Sequence, residues 1–232
     1  METILNWQGF QAEAKGTGIS KPLSENISLL GSLLGHAIKE KASTELLDEA
    51  ETLRQLCRDA GTSTDFSQYK TAIEKIQRLS TDEHKWLLKT YTLFFHLVNE
   101  AEKQEINRER AINATAQTPR VESIADAIYQ LKEKNYSLDE VLNLLNQLDI
   151  QPTLTAHPTE ARRQAVLKKQ AIIAKLLGSL QKNQLTPEEY DHIIHQLYEN
   201  INLLLFTDNV RREKITVLDE VQNGLYFLTT SI

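Results

Sequence analysis

From Ser24 onward, apolar residues recur three and four positions apart, and Ile27, Leu30, Leu34 and Ile38 fall on one face of a helix. Gly31 and Gly35 lie on that helix and are expected to permit close packing. A second helix is predicted behind a cap at Ser43 or Thr44, with Leu46, Leu47, Ala50, Leu53, Leu56 and Cys57 inward and Gly61 as its stop. Phe66, Tyr69, Ile73, Ile76 and Leu79 define a third. Ser80 with Glu83 makes a capping box for a long fourth helix reaching about Ala111, whose Trp86, Leu87, Tyr91, Phe94, Phe95 and Val98 read as core. Its charged tail, Glu100 to Arg110, reads as a solvated face. Thr118-Pro119 opens a helix through Val121, Ile124, Ile128 and Leu131, and Ser137 with Glu140 boxes the next, with Val141, Leu144, Leu145 and Leu148 inward. Thr186-Pro187-Glu188-Glu189 caps another through Ile193, Leu197, Ile201, Leu204 and Leu205. A last helix begins near Thr216 or Val217 and is still amphipathic at Ile232. Before all of these, residues 1 to about 22 mix Trp7 and Phe10 with Gly9, Gly16, Gly18 and Pro22, an irregular arm docked by its aromatics.

One stretch breaks the helical rhythm. Ile150 to Ala156 is the sole strand candidate, and it runs through His157 into a helix extending towards Leu180. A single strand cannot satisfy its own backbone donors and acceptors, and the final helix carries no stop signal, so the pattern reads as part of something larger. A strand whose C-terminal end carries a functional residue and leads into a helix is what the first unit of an α/β barrel shows. The expected fold is therefore mainly α: a bundle-like helical region over residues 1–149, then over 150–232 the first strand-helix unit of an incomplete α/β barrel with further helices.

Composition adds exclusions. The 232 residues are 41% hydrophobic and 25% charged, ordinary for a folded chain. A net charge of -6 with dispersed basic residues argues against nucleic acid as a partner. Cys57 is the only cysteine, so a disulfide framework and a thiolate metal site are excluded and a reducing compartment is expected. No apolar run approaches the ~18 residues of a membrane span, and no basic leader opens the chain, which reads as cytoplasmic. No phosphate-binding glycine loop or nucleophile elbow is present. His192 and His195 could begin a metal site, but three-residue spacing without a third ligand is usually a surface accident.

The remaining chemistry sits at the strand-helix joint. Pro158 biases His157 towards extended dihedrals and can serve as the first helical residue, which would hold the imidazole at a helix mouth where anions are favoured. Arg162 and Arg163 then fall in the first helical turn, where cations cost stability and call for a negative partner. A histidine in a turn is also commonly structural, and both readings stand on the residues alone.

The motif Thr155-Ala156-His157-Pro158-Thr159-Glu160, with Arg163 six residues after the histidine, resembles the N-terminal active-site signature of the phosphoenolpyruvate carboxylase family. Thr207-Asp208-Asn209-Val210-Arg211-Arg212 and Leu218 to Leu225 resemble that family's next landmark, and Pro22 to Lys39 and Glu49 to Leu56 its opening helices. Gln164 and Thr153 depart from the usual pattern, and family members are several times longer. The resemblance implies carboxylation of phosphoenolpyruvate with bicarbonate to give oxaloacetate and phosphate, with His157 catalytic. It implies Mg2+ or Mn2+ in the full-length enzyme, on ligands that lie outside this chain, and a homotetramer. It also implies that Arg163 and Arg211 belong to an anionic activator site, although both arginines could instead pair with Glu160 or Asp208. A stand-alone helical scaffold module is the rival reading; it accounts for the helices but not for the strand, the His-Pro joint or the paired arginines.

Overall fold

The computed structural model describes residues 9–12, 14, 18–62, 66–114, 119, 121–151, 163–181, 185–209 and 216–230. Among them are nine helices and no strand: α1 (Lys21–Lys41), α2 (Thr44–Thr62), α3 (Ser67–Arg78), α4 (Thr81–Ala114), α5 (Ile124–Glu133), α6 (Leu138–Asn146), α7 (Gln164–Leu180), α8 (Pro187–Leu205) and α9 (Val217–Thr230). Ile150 and Gln151 are described and are not in a strand, while residues 152–156 of the expected strand lie outside the described residues. The chain forms two units, Met1–Glu105 with Arg162–Lys214, and Ile106–Ala161 with Ile215–Ile232.

In the first unit α1 packs against α2 and α8, α2 against α3, and α7 against α8. The helix α1 starts earlier than expected because Ser20 caps it, accepting from the Leu23 N–H at 3.2 Å, and Pro22 therefore sits in the first turn. Ile27, Leu30, Leu34 and Ile38 are buried as their spacing requires, and full burial of such side chains contributes about 2 kcal/mol each. The arm docks through one of its aromatics, while Trp7 lies outside the described residues. Phe10 is fully buried with its ring 4.8 Å from Phe94, and its backbone crosses α1 at Gly31, where a Cβ would stand 1.9 Å from the Phe10 carbonyl oxygen. Ser24 and Ser28 bond to the Ala12 backbone beside that crossing.

Four expectations fail here for packing reasons. Cys57 is exposed: α4 reaches α2 through Tyr91, whose hydroxyl donates to the Ala50 carbonyl at 2.7 Å, and the thiol lies in the open beyond it. On α3 the only buried residue is Ala72, while Phe66 and Ile73 stay exposed, because a small side chain lets α3 approach α2 and the Lys75–Glu49 ion pair (3.0 Å) ties the two helices together. Phe95 is exposed although its neighbour Phe94 is buried against Phe10, because one step along the helix turns the side chain about 100° away from that contact. In the α4 tail Glu100 and Glu105 are buried rather than solvated: Lys103 meets Glu100 at 2.7 Å, and Ser20 Oγ donates to Glu105 at 2.5 Å.

On α8 the expected capping box is present at Thr186 and Glu189, and Ile193, Leu197, Ile201, Leu204 and Leu205 are buried. Where α1 meets α8, the Tyr198 hydroxyl donates to the Glu40 carboxylate while the His36 ring lies 5.3 Å from that of Tyr198. The hydrogen bond holds the Glu40 carboxyl below the usual glutamate range, and burial with the nearby carboxylate pushes the Tyr198 phenol up.

The second unit contains α5, α6 and α9. Ser123 rather than Thr118-Pro119 caps α5, accepting from the Asp126 N–H at 3.0 Å, so Val121 precedes the helix. Glu122 takes a left-handed φ of 62°, and its N–H donates to the Asp126 carboxylate. The predicted box at Ser137 and Glu140 closes α6. Leu144, Leu145 and Leu148, expected inward, are exposed. The helix α9 begins at Val217 as expected, with Thr216 Oγ1 accepting from the Asp219 N–H at 3.3 Å.

Candidate functional site

The helix α7 begins at Gln164, not at Pro158, because Arg163 is extended (φ -64°, ψ 137°) and occupies the cap position. Its carbonyl accepts from the Val166 and Leu167 N–H groups at 2.9 and 3.2 Å, starting the helical ladder. Its own N–H donates to the Asn209 carbonyl at 3.4 Å. Two landmarks far apart in sequence thus meet, the end of the His-Pro motif and the segment that follows α8. His157 and Arg211 lie outside the described residues, as do Thr155 to Arg162 and Arg212.

Several further contacts hold the Asn209 side in place. Thr207 Oγ1 donates to the Leu203 carbonyl at 2.7 Å, closing the end of α8. Trp86 of α4 packs edge-on against Phe206 with ring centroids 6.0 Å apart, and Lys89 one turn later reaches Asp208 at 3.9 Å. Lys89 and Trp86 were not singled out from the sequence as part of this region. Their only sequence signal was the aromatic face of α4, which says nothing about a segment some 120 residues further on.

Electrostatically the cap region is positive. No acid stands in the first turn of α7, at the positive end of the helix dipole, and the buried Arg163 Nε has no hydrogen-bond partner. Such an arrangement suits an anion with oxygens to accept from a guanidinium. Among the described residues no group of three or more His, Cys, Asp or Glu converges as a metal site, and no helix is long and apolar enough to cross a membrane. His192 lies 3.0 Å from the Gln196 side chain and His195 3.2 Å from Glu199, so each histidine is occupied along its own helix.

A family model described as phosphoenolpyruvate carboxylase matches residues 23–232. The chain is 52% identical over 225 residues to the phosphoenolpyruvate carboxylase of Rhodothermus marinus, covering 96% of this chain and 24% of that protein. It is 34% identical over 212 residues to that of Azoarcus sp. (strain BH72), covering 90% and 23%, and 34% identical over 213 residues to that of Thermus thermophilus, again covering 90% and 23%. The chain spans about a quarter of the length of the curated relatives it matches.

Proposed function

Because the chain belongs to the phosphoenolpyruvate carboxylase family, we propose that it is the N-terminal portion of an enzyme that joins bicarbonate to phosphoenolpyruvate, giving oxaloacetate and phosphate. The observation that carries this reading is the 52% identity over nearly the whole chain. The meeting of Arg163 with Asn209 supports it, since it joins the two stretches that hold the family-like motifs.

In this reading a bicarbonate oxygen attacks the phosphorus of phosphoenolpyruvate, the enol C–O–P link breaks on the phosphorus side, and carboxyphosphate and the enolate of pyruvate result. His157, as a neutral imidazole, takes the carboxyl proton of carboxyphosphate. The bond from carbon to the phosphoryl oxygen then breaks, phosphate leaves, and the carbon dioxide released is attacked by the enolate carbon. Such a base contributes typically ~10²–10⁴ in rate. A divalent Mg2+ or Mn2+ would stabilise the enolate oxygen, but the described residues offer no ligand cluster for it. The stretch leading into α7 belongs to the first strand-helix unit of a barrel that the rest of the enzyme completes, the enzyme is a cytoplasmic homotetramer, and its oxaloacetate replenishes the tricarboxylic acid cycle. Arg163 and Arg211 serve subunit packing or a weak anionic effector site.

The test is a chimera in which this chain replaces the aligned quarter of the Rhodothermus marinus enzyme. Oxaloacetate followed with a coupled dehydrogenase should form at a rate within about tenfold of the parent, given that the chemistry is shared and only packing differs. The isolated chain should form none. A folded chimera without bicarbonate-dependent turnover, or turnover by the isolated chain, contradicts the reading.

A further inference from the structure

Among the described residues the buried apolar side chains lie in the first unit, and the second contains none. The helices α5 and α6 have only 10 and 9 residues, below the ~12–15 at which an isolated helix is even marginal in water. Both are nevertheless well capped, and both are amphipathic. Their apolar faces are open: Ile124 is 83% exposed, Ile128 59%, Leu138 73%, Leu145 55% and Leu148 60%. A cap offsets about 1 kcal/mol, which does not replace a buried face. Such a surface calls for a cover.

Two observations choose the cover. The curated relatives run about four times the length of this chain, so each carries a large body of polypeptide with no counterpart here. Between Pro119 and Gln151 three basic residues stand against six acidic ones, so a second copy would bring like charge against like around the apolar faces. We infer that the apolar faces of α5 and α6 are a docking surface for the remainder of a family-length chain, whose covering side is apolar with a basic rim. This rests on the family reading above.

Hydrogen exchange tests it. In the isolated chain the α5 and α6 amides should exchange within about tenfold of unstructured rates, and in the Rhodothermus marinus enzyme the aligned helices should be slowed by at least ~10³. The chimera should show the same slowing. Ile124→Ser combined with Leu145→Ser should reduce that protection by at least ~100-fold in the chimera and change nothing in the isolated chain, while Asn143→Ser changes neither. Protection already present in the isolated chain overturns the inference, including protection by self-association that the double variant abolishes, which would make a second copy the occupant. So do unprotected helices in the Rhodothermus marinus enzyme, a comparison that decides even if the chimera does not fold. A carboxylating chimera with unprotected helices overturns the docking surface alone, whereas protection without carboxylation overturns only the proposed function.

Discussion

Gly31 shows what one atom decides. A Cβ there would stand 1.9 Å from the Phe10 carbonyl oxygen, so Gly31→Ala must push the arm off α1 and expose Phe10. The expected loss is about 1–3 kcal/mol in urea denaturation, the range for overpacking a filled site. That this glycine permits close packing was readable from its place on an apolar face; that the arm is what it admits was not, because local spacing carries no information on a segment 21 residues away. Arg163 shows the reverse. Its residue type pointed to an anion, but its placement as a cap was missed, since Pro158 offered a plausible earlier start and the competing Asn209 carbonyl lies far along the chain. Gln164 is the first residue of α7, and the resemblance leads one to expect a basic residue at that position. The chimera should therefore respond weakly or not at all to hexose phosphate, and Gln164→Arg should strengthen activation, read as a lower half-saturating concentration; strong activation before the substitution, or no gain after it, would contradict the weakening assigned to Gln164.

At the scale of elements, the capping boxes were legible because they are local: the two partners stand three residues apart, and the boxes at Ser80, Ser137 and Thr186 all form. Which face a helix buries was less legible. The stripes on α3, α5 and α6 are genuine, yet they are exposed, because burial is set by what packs against a helix and not by its own periodicity. The junction of α1 and α8 yields a pH dependence. Glu40 is held below its ordinary value, so its contribution is present above the unfolded glutamate pKa of about 4.3 and is lost as pH falls through the folded value. Tyr198 is pushed up, so its contribution is present below about 10 and is lost as pH rises through the folded value. Tyr198→Phe should flatten both limbs of a plot of melting temperature against pH while changing the neutral plateau least. Unaltered acid and alkaline limbs would show that the pair contributes nothing.

At the scale of the molecule, the mainly helical character and the family were both readable. The family was readable because its motifs combine rare neighbours, a His-Pro joint and paired arginines, at a fixed separation. The strand was inferred from pattern alone, and its residues 152–156 and His157 lie outside the described residues. A strand of a barrel also needs neighbours to pair with, and none is found among the described residues. Much of the core of the first unit followed from periodicity because α1, α4 and α8 are long helices whose apolar stripes are buried. The open faces of the second unit did not follow, since an apolar stripe looks the same in sequence whether or not the chain at hand supplies its cover.

The role of His157 is decided by bicarbonate-dependent oxaloacetate formation in the chimera carrying His157→Asn. Substrate affinity should stay within a few-fold of the unsubstituted chimera, because the proposed proton transfer follows phosphoryl transfer, while carboxylation falls by at least ~10². Phosphate release from phosphoenolpyruvate should persist. Carboxylation within a few-fold of the unsubstituted chimera would contradict the assignment.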